Sequence, residues 1–103
     1  MEGNKKVVYI AGSPLSPVCV DIKSALAKVE DAIRGRGFVA LSPAGLPDDL
    51  GNGRAVQLRL AMIEQADAVF FAPGWHLSVI GQFELTFCKF TGKPYATDLE
   101  ELS

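Results

Sequence analysis

The chain has 103 residues, 49% of them hydrophobic and 21% charged, with a net charge of -2. That length sets a prior of one domain with one modest core, and the composition excludes a disordered chain. No basic patch invites a nucleic-acid backbone, and no apolar run approaches the ~18 residues needed to span a membrane. Two cysteines, Cys19 and Cys88, make neither a disulfide framework nor a zinc site, so a cytoplasmic protein with no metal and no cofactor is expected.

The predicted elements alternate along the chain. "KKVVYIAG" is a short, partly β-branched run closed by glycine, and it reads as a buried strand over Lys6 to Ala11. In "SPLSPV", Ser16 followed by Pro17 has the form of an N-cap with proline at the first helical position. Ile22, Ala25, Leu26, Val29, Ala32 and Ile33 then recur at three and four, one face of a helix that Gly35 and Gly37 end. "FVALS", Phe38 to Ser42, is a second strand. "PAGLPDDLGNG" is crowded with proline, glycine and aspartate and is the longest loop. "RAVQLRLAMIEQA" gives a second helix, with Asn52 as its expected cap and apolar residues at 56, 60 and 63 and at 58 and 62. "DAVFFA", Asp67 to Ala72, is a third strand. After a loop over Pro73 to Leu77, a third helix runs from Ser78 to about Phe90, and "GKPYAT" supplies a fourth strand near Pro94 to Ala96. "DLEELS" reads as a short acidic tail.

Apolar strands separated by amphipathic helices imply an α/β fold, a parallel sheet covered on both faces. Right-handed crossovers make it a small doubly wound, Rossmann- or flavodoxin-like sheet of four strands in order 2-1-3-4. Such sheets bind ligands beyond the carboxyl ends of their strands, at the switch point between strands 1 and 3. The loops Gly12 to Pro17, Ser42 to Gly53 and Pro73 to Ser78 should therefore meet.

"PGWHLSVIGQFE", Pro73 to Glu84, carries the unusual chemistry at that edge. It holds the only tryptophan and the only histidine, and Ser78, Gly81 and Glu84 follow at intervals of three. That spacing keeps the three near one helix face. A helix N-terminus at Ser78 offers free N–H groups and a positive dipole end to an anion. Equally, Ser78 can be a plain cap and Glu84 a solvated residue that complements the dipole. Trp75 can stack on a base or pack under the long loop. Asp48, Asp49 and His76 lie on the correct edge to donate a proton, or are a pair of solvated turn formers and a surface histidine, whereas Asp67 opens strand 3 at the opposite edge and reads as structural.

Together, "VYIAGSP", "ADAVFFAPGW" and the S-x-x-G-x-x-E that opens the last helix resemble the nucleoside 2-deoxyribosyltransferase-like superfamily, and within it the short, phage-associated domains labelled DUF4406. The resemblance runs from Lys6 to Pro94. It implies cleavage of N-glycosidic bonds in (deoxy)nucleosides or their 5′-monophosphates, with Glu84 as nucleophile and Tyr9 touching its carboxylate. Ser78 matches a position that is serine in the phosphate-binding hydrolases. Gly12, Ser13, Asp48, Trp75 and Gly81 complete the expected binding set. Relatives commonly carry glycine where this chain has Ile80, with its own glycine displaced to Gly81. A non-catalytic nucleotide-binding module or a structural interaction protein of the same fold are the alternatives. The resemblance also implies a homodimer, and the third helix, with Phe83, Phe87 and Phe90 at spacings of four and three, carries more apolar surface than one sheet face needs and is the expected contact.

Overall fold

The computed structural model describes residues 5–11, 22–43, 51–72, 75–77 and 79–102. Four strands, β1 (Val7–Ala11), β2 (Val39–Leu41), β3 (Ala68–Phe71) and β4 (Tyr95–Ala96), alternate with three helices, α1 (Ile22–Gly35), α2 (Asn52–Gln65) and α3 (Val79–Thr91). The sheet is parallel throughout, in the expected order β2-β1-β3-β4.

Both faces of the sheet are buried, and the period-2 alternation of β1 and β3 sorts their side chains into two cores. Val8, Ile10, Phe70 and Ala72 point to one face, where Ile33 of α1 packs. Tyr9, Ala11, Val69 and Phe71 point to the other, beneath Ile63 of α2 and Cys88 of α3. Handedness explains this division. The β1-to-β2 crossover steps one way along the sheet and the next two step back, so right-handed connections place α1 on one face and α2 and α3 on the other.

The helix ends follow local chemistry. Gly37 has φ 90; its N–H bonds to Arg34 O at 2.9 Å, and the Phe38 N–H reaches Ile33 O at 3.3 Å. This left-handed closure of α1 is the expected role of glycine there. The N-terminus of α1 expected at Ser16 and Pro17 lies outside the described residues. Asn52 is not the cap of α2 but its first residue. Gly51 occupies the N-cap position at φ 87, with no side-chain capping bond, a backbone conformation that glycine adopts without a Cβ penalty. Lys93 covers the other end of that helix, its Nζ donating to Ala66 O at 2.6 Å, a cation placed at a carbonyl terminus.

The acidic tail is folded. Leu99–Glu101 form a 3-10 helix in which Asp98 Oδ1 accepts from the Glu100 N–H at 3.1 Å. Leu102 is buried in the α1-side core, with Leu99 packed beside it. The acidic residues face water while two leucines three apart seal the sheet.

Asp67 has the structural role its position suggested. Its Oδ2 accepts from the Val7 N–H at 2.8 Å, and its own N–H donates to Val7 O at 2.7 Å, which clamps the amino ends of β1 and β3. This contact is solvent-exposed, so Asp67→Ala should cost only about 1 kcal/mol of stability. Urea unfolding checks the loss. A change in ligand binding by this variant would contradict the purely structural role.

Candidate functional site

The parallel register brings the ends of β1, β2 and β3 to one edge. Tyr9 pairs with Leu41, the last residue of β2, and its side chain enters the core beneath α2 and α3. Across from it, α3 presents a buried stripe of Gly81, Glu84 and Cys88, the three- and four-residue steps of one helix face. Glu84 is 1% exposed and is the sole buried charged residue among those described.

The Tyr9 hydroxyl donates to Glu84 Oε2 at 2.6 Å, a length typical of an O–H bonded to a carboxylate. The Tyr9–Glu84 contact implied by the resemblance is therefore present. A second partner comes from α2: Arg59 Nη1 lies 3.6 Å from the same Oε2. Arg59 Nη1 is buried and finds no hydrogen-bond partner among the described residues. Phenol, carboxylate and guanidinium thus converge from β1, α3 and α2.

The composition patterns did not single out Arg59. A signal existed, because Arg59 falls three residues after Val56 and four before Ile63, on the apolar stripe that packs the sheet. An arginine on such a stripe requires a carboxylate partner. Leu58, assigned to the apolar pattern, instead stands exposed at 42%.

Other candidates distribute differently. Trp75 opens a 3-10 turn, Trp75–Leu77, and packs edge-on against Phe71 with ring centroids 5.2 Å apart. It is a partly buried member of the core beneath α2 and α3. His76 is exposed, and its backbone carbonyl accepts from Gln82 Nε2 at 2.8 Å. Gly81 is buried on the stripe that holds Glu84, and Ile80 is half-buried. Gly12, Ser13, Asp48, Asp49 and Ser78 lie outside the described residues, as does Cys19. The described residues contain no group of three His, Cys, Asp or Glu side chains able to hold a metal ion, and no helix among them is long and apolar enough to cross a membrane.

Burial shapes the titration of the neighbours. The Tyr9 phenol is pushed well above its ordinary value, first by desolvation and then by the Glu84 charge and hydrogen bond, with Arg59 opposing. It therefore remains a donor at neutral pH. Burial, assisted by the Glu84 charge and opposed by Lys93, pushes the Cys88 thiol from 9.0 up to about 11. Both groups bind protons more tightly when folded. Their contribution to stability is complete below pH 9 and falls as pH rises, from 9 toward about 11 for Cys88 and from 10 upward for Tyr9. Urea midpoints should accordingly decline steadily above pH 9, and Cys88→Ala should remove the earlier part of that decline. A midpoint unchanged between pH 9 and 11 would refute the assignment.

Over residues 6–97 the chain matches the family described as Domain of unknown function (DUF4406). The chain belongs to that family. No curated protein and no solved structure matches it. In this DUF4406 domain the matched region includes every described strand and the helices α1, α2 and α3, and with them Tyr9, Arg59 and Glu84.

Proposed function

We propose that this DUF4406 domain acts on (deoxy)nucleoside 5′-monophosphates as a nucleotide N-glycosidase or deoxyribosyltransferase-like enzyme, with Glu84 as nucleophile. The observation that carries the reading is the buried 2.6 Å hydrogen bond from the Tyr9 hydroxyl to Glu84, on a sheet whose order reverses at β1. The resemblance to the nucleoside 2-deoxyribosyltransferase-like superfamily supports it. The Glu84 carboxylate would attack the anomeric carbon, forming an ester bond as the bond to the base breaks. The base departs with that electron pair and takes up a proton, and water or a second base then releases the sugar. A carboxylate nucleophile splits one difficult displacement into two easier ones. Ser78, directly before α3 in the chain, is proposed as the phosphate contact, since a helix N-terminus suits an anion.

One observation favours a second reading, a nucleotide-binding module without catalysis: Glu84 is 1% exposed and is engaged by both Tyr9 and Arg59. The deciding experiment is base release, followed by chromatography across the common ribo- and deoxyribonucleoside monophosphates, with affinity measured in parallel by calorimetry. Binding without base release overturns the enzyme and leaves the module. Neither binding nor release overturns both.

A homodimer is proposed as part of this reading. Val79, Phe83 and Phe90 of α3 are exposed at 81%, 45% and 89%, whereas Phe87 turns partly toward the core beneath α2 and α3. An apolar stripe of this kind suits a self-complementary contact. Light scattering should give twice the 11.0 kDa monomer mass, and Phe90→Glu should halve it. A wild-type mass equal to the monomer rejects the dimer.

A further inference from the structure

The geometry points to Arg59 as the positioning residue that neutralises Glu84 and holds its carboxylate for attack, bridging α2 to α3. The catalytic half of this inference rests on the nucleophilic role proposed for Glu84; the electrostatic half does not. Glu84 lies 1% exposed, and an ion taken that far from water is costly without a counter-charge. Titratable and charged side chains bear on it from β1, α2 and α3. Tyr9 approaches from β1 as a neutral donor. Cys88, one turn along α3, bears on it as a thiol, and Lys93 acts on Cys88. Arg59 supplies the cation within 4 Å, with Nη1 3.6 Å from Oε2.

The pairing is electrostatic and not a saturated fork. Nη1 is buried without a hydrogen-bond partner among the described residues, and its attraction to Oε2 at 3.6 Å is that of an ion pair. Placing the cation beside the oxygen that also accepts the Tyr9 hydrogen bond fixes both the charge and the orientation of the carboxylate. No such charge is needed for packing, since an apolar residue of similar volume fills a helix stripe as well.

The test is a double-mutant cycle by urea unfolding, using wild type, R59M, R59K, E84Q and R59M/E84Q. R59M should lower the folding equilibrium constant by about a hundredfold or more at about pH 8, because it removes a cation from beside a buried carboxylate. R59K keeps the cation and should recover at least about tenfold, and in the E84Q background the same Arg59→Met change should cost less than about tenfold. If R59M does not fold at about pH 8, a folded R59M/E84Q supports the inference and an unfolded one overturns it. Equal losses in both backgrounds, unrescued by lysine, also overturn it and leave Arg59 a packing residue. In the base-release assay R59M should lower kcat and leave KM within about tenfold. If wild type releases no base, the proposed function falls, and the unfolding cycle still decides the role of Arg59.

Discussion

Glu84→Gln should abolish base release, with kcat reduced by about a thousandfold or more, because amide oxygen is a poor nucleophile toward the anomeric carbon. The substitution keeps the shape of the side chain and an oxygen that accepts from the Tyr9 hydroxyl, now 2.6 Å from Oε2. Nucleotide affinity should accordingly stay within about tenfold, or ~1.4 kcal/mol. The fold does not escape untouched. Removing the carboxylate leaves the Arg59 cation, 3.6 Å away, without its counter-charge. Arg59 retains 17% side-chain exposure, so part of that charge stays solvated and the expected cost is about 1–3 kcal/mol, below the full value for a buried pair. Assays therefore belong well below the unfolding midpoint of the variant. Base release that survives the substitution would show that another group is the nucleophile.

Tyr9→Phe should have the second largest effect. Tyr9 is fully buried, and the substitution removes only the hydroxyl that serves Glu84. A hydrogen bond to a charged group is worth about 1.5–3 kcal/mol, and the loss should fall near the upper end because no water replaces the donor at so buried a carboxylate. Base release should drop by about 10- to 100-fold as the carboxylate loses its orientation. An independent signature is available at alkaline pH. The wild-type phenol is raised above its ordinary 10.0 chiefly by burial, so the unfolded chain loses that proton before the folded chain does, and stability falls with each unit above pH 10. Phenylalanine has no such proton. The variant should be less stable at neutral pH yet show a shallower decline above pH 10. Equal slopes in the two proteins would mean that the phenol is not held in its neutral form by the fold.

The architecture was legible from hydrophobic pattern alone. Buried strands such as "VVYIA" and "AVFF" alternate with helices, and handedness and crossover length leave few ways to arrange four parallel strands. Boundaries moved by one or two residues, and the tail shows why. Its acidic composition signals solvent, but burial follows the two leucines at 99 and 102 and not the mean polarity. The cap of α2 was misplaced for a related reason. Asparagine is the commoner N-cap, yet the chain enters the helix through a positive φ that glycine at 51 satisfies.

The sequence by itself determined the α/β class, the strand order, the glycine closure of α1, the structural role of Asp67, and the placement of Glu84 on a helix stripe with Gly81. The class, the glycine closure and the helix stripe depend on interactions within a few residues or on periodicity, which a linear chain displays, and the strand order and the edge on which Asp67 lies follow from the crossover rules. Only the tertiary structure decided that Glu84 is enclosed and that Arg59 is its counter-ion. The contacts join residue 84 to residues 9 and 59, and although the apolar stripe marks Arg59 as needing a carboxylate, periodicity does not say which one. The pairing exists because right-handed crossovers stack α2 and α3 on the face to which Tyr9 points.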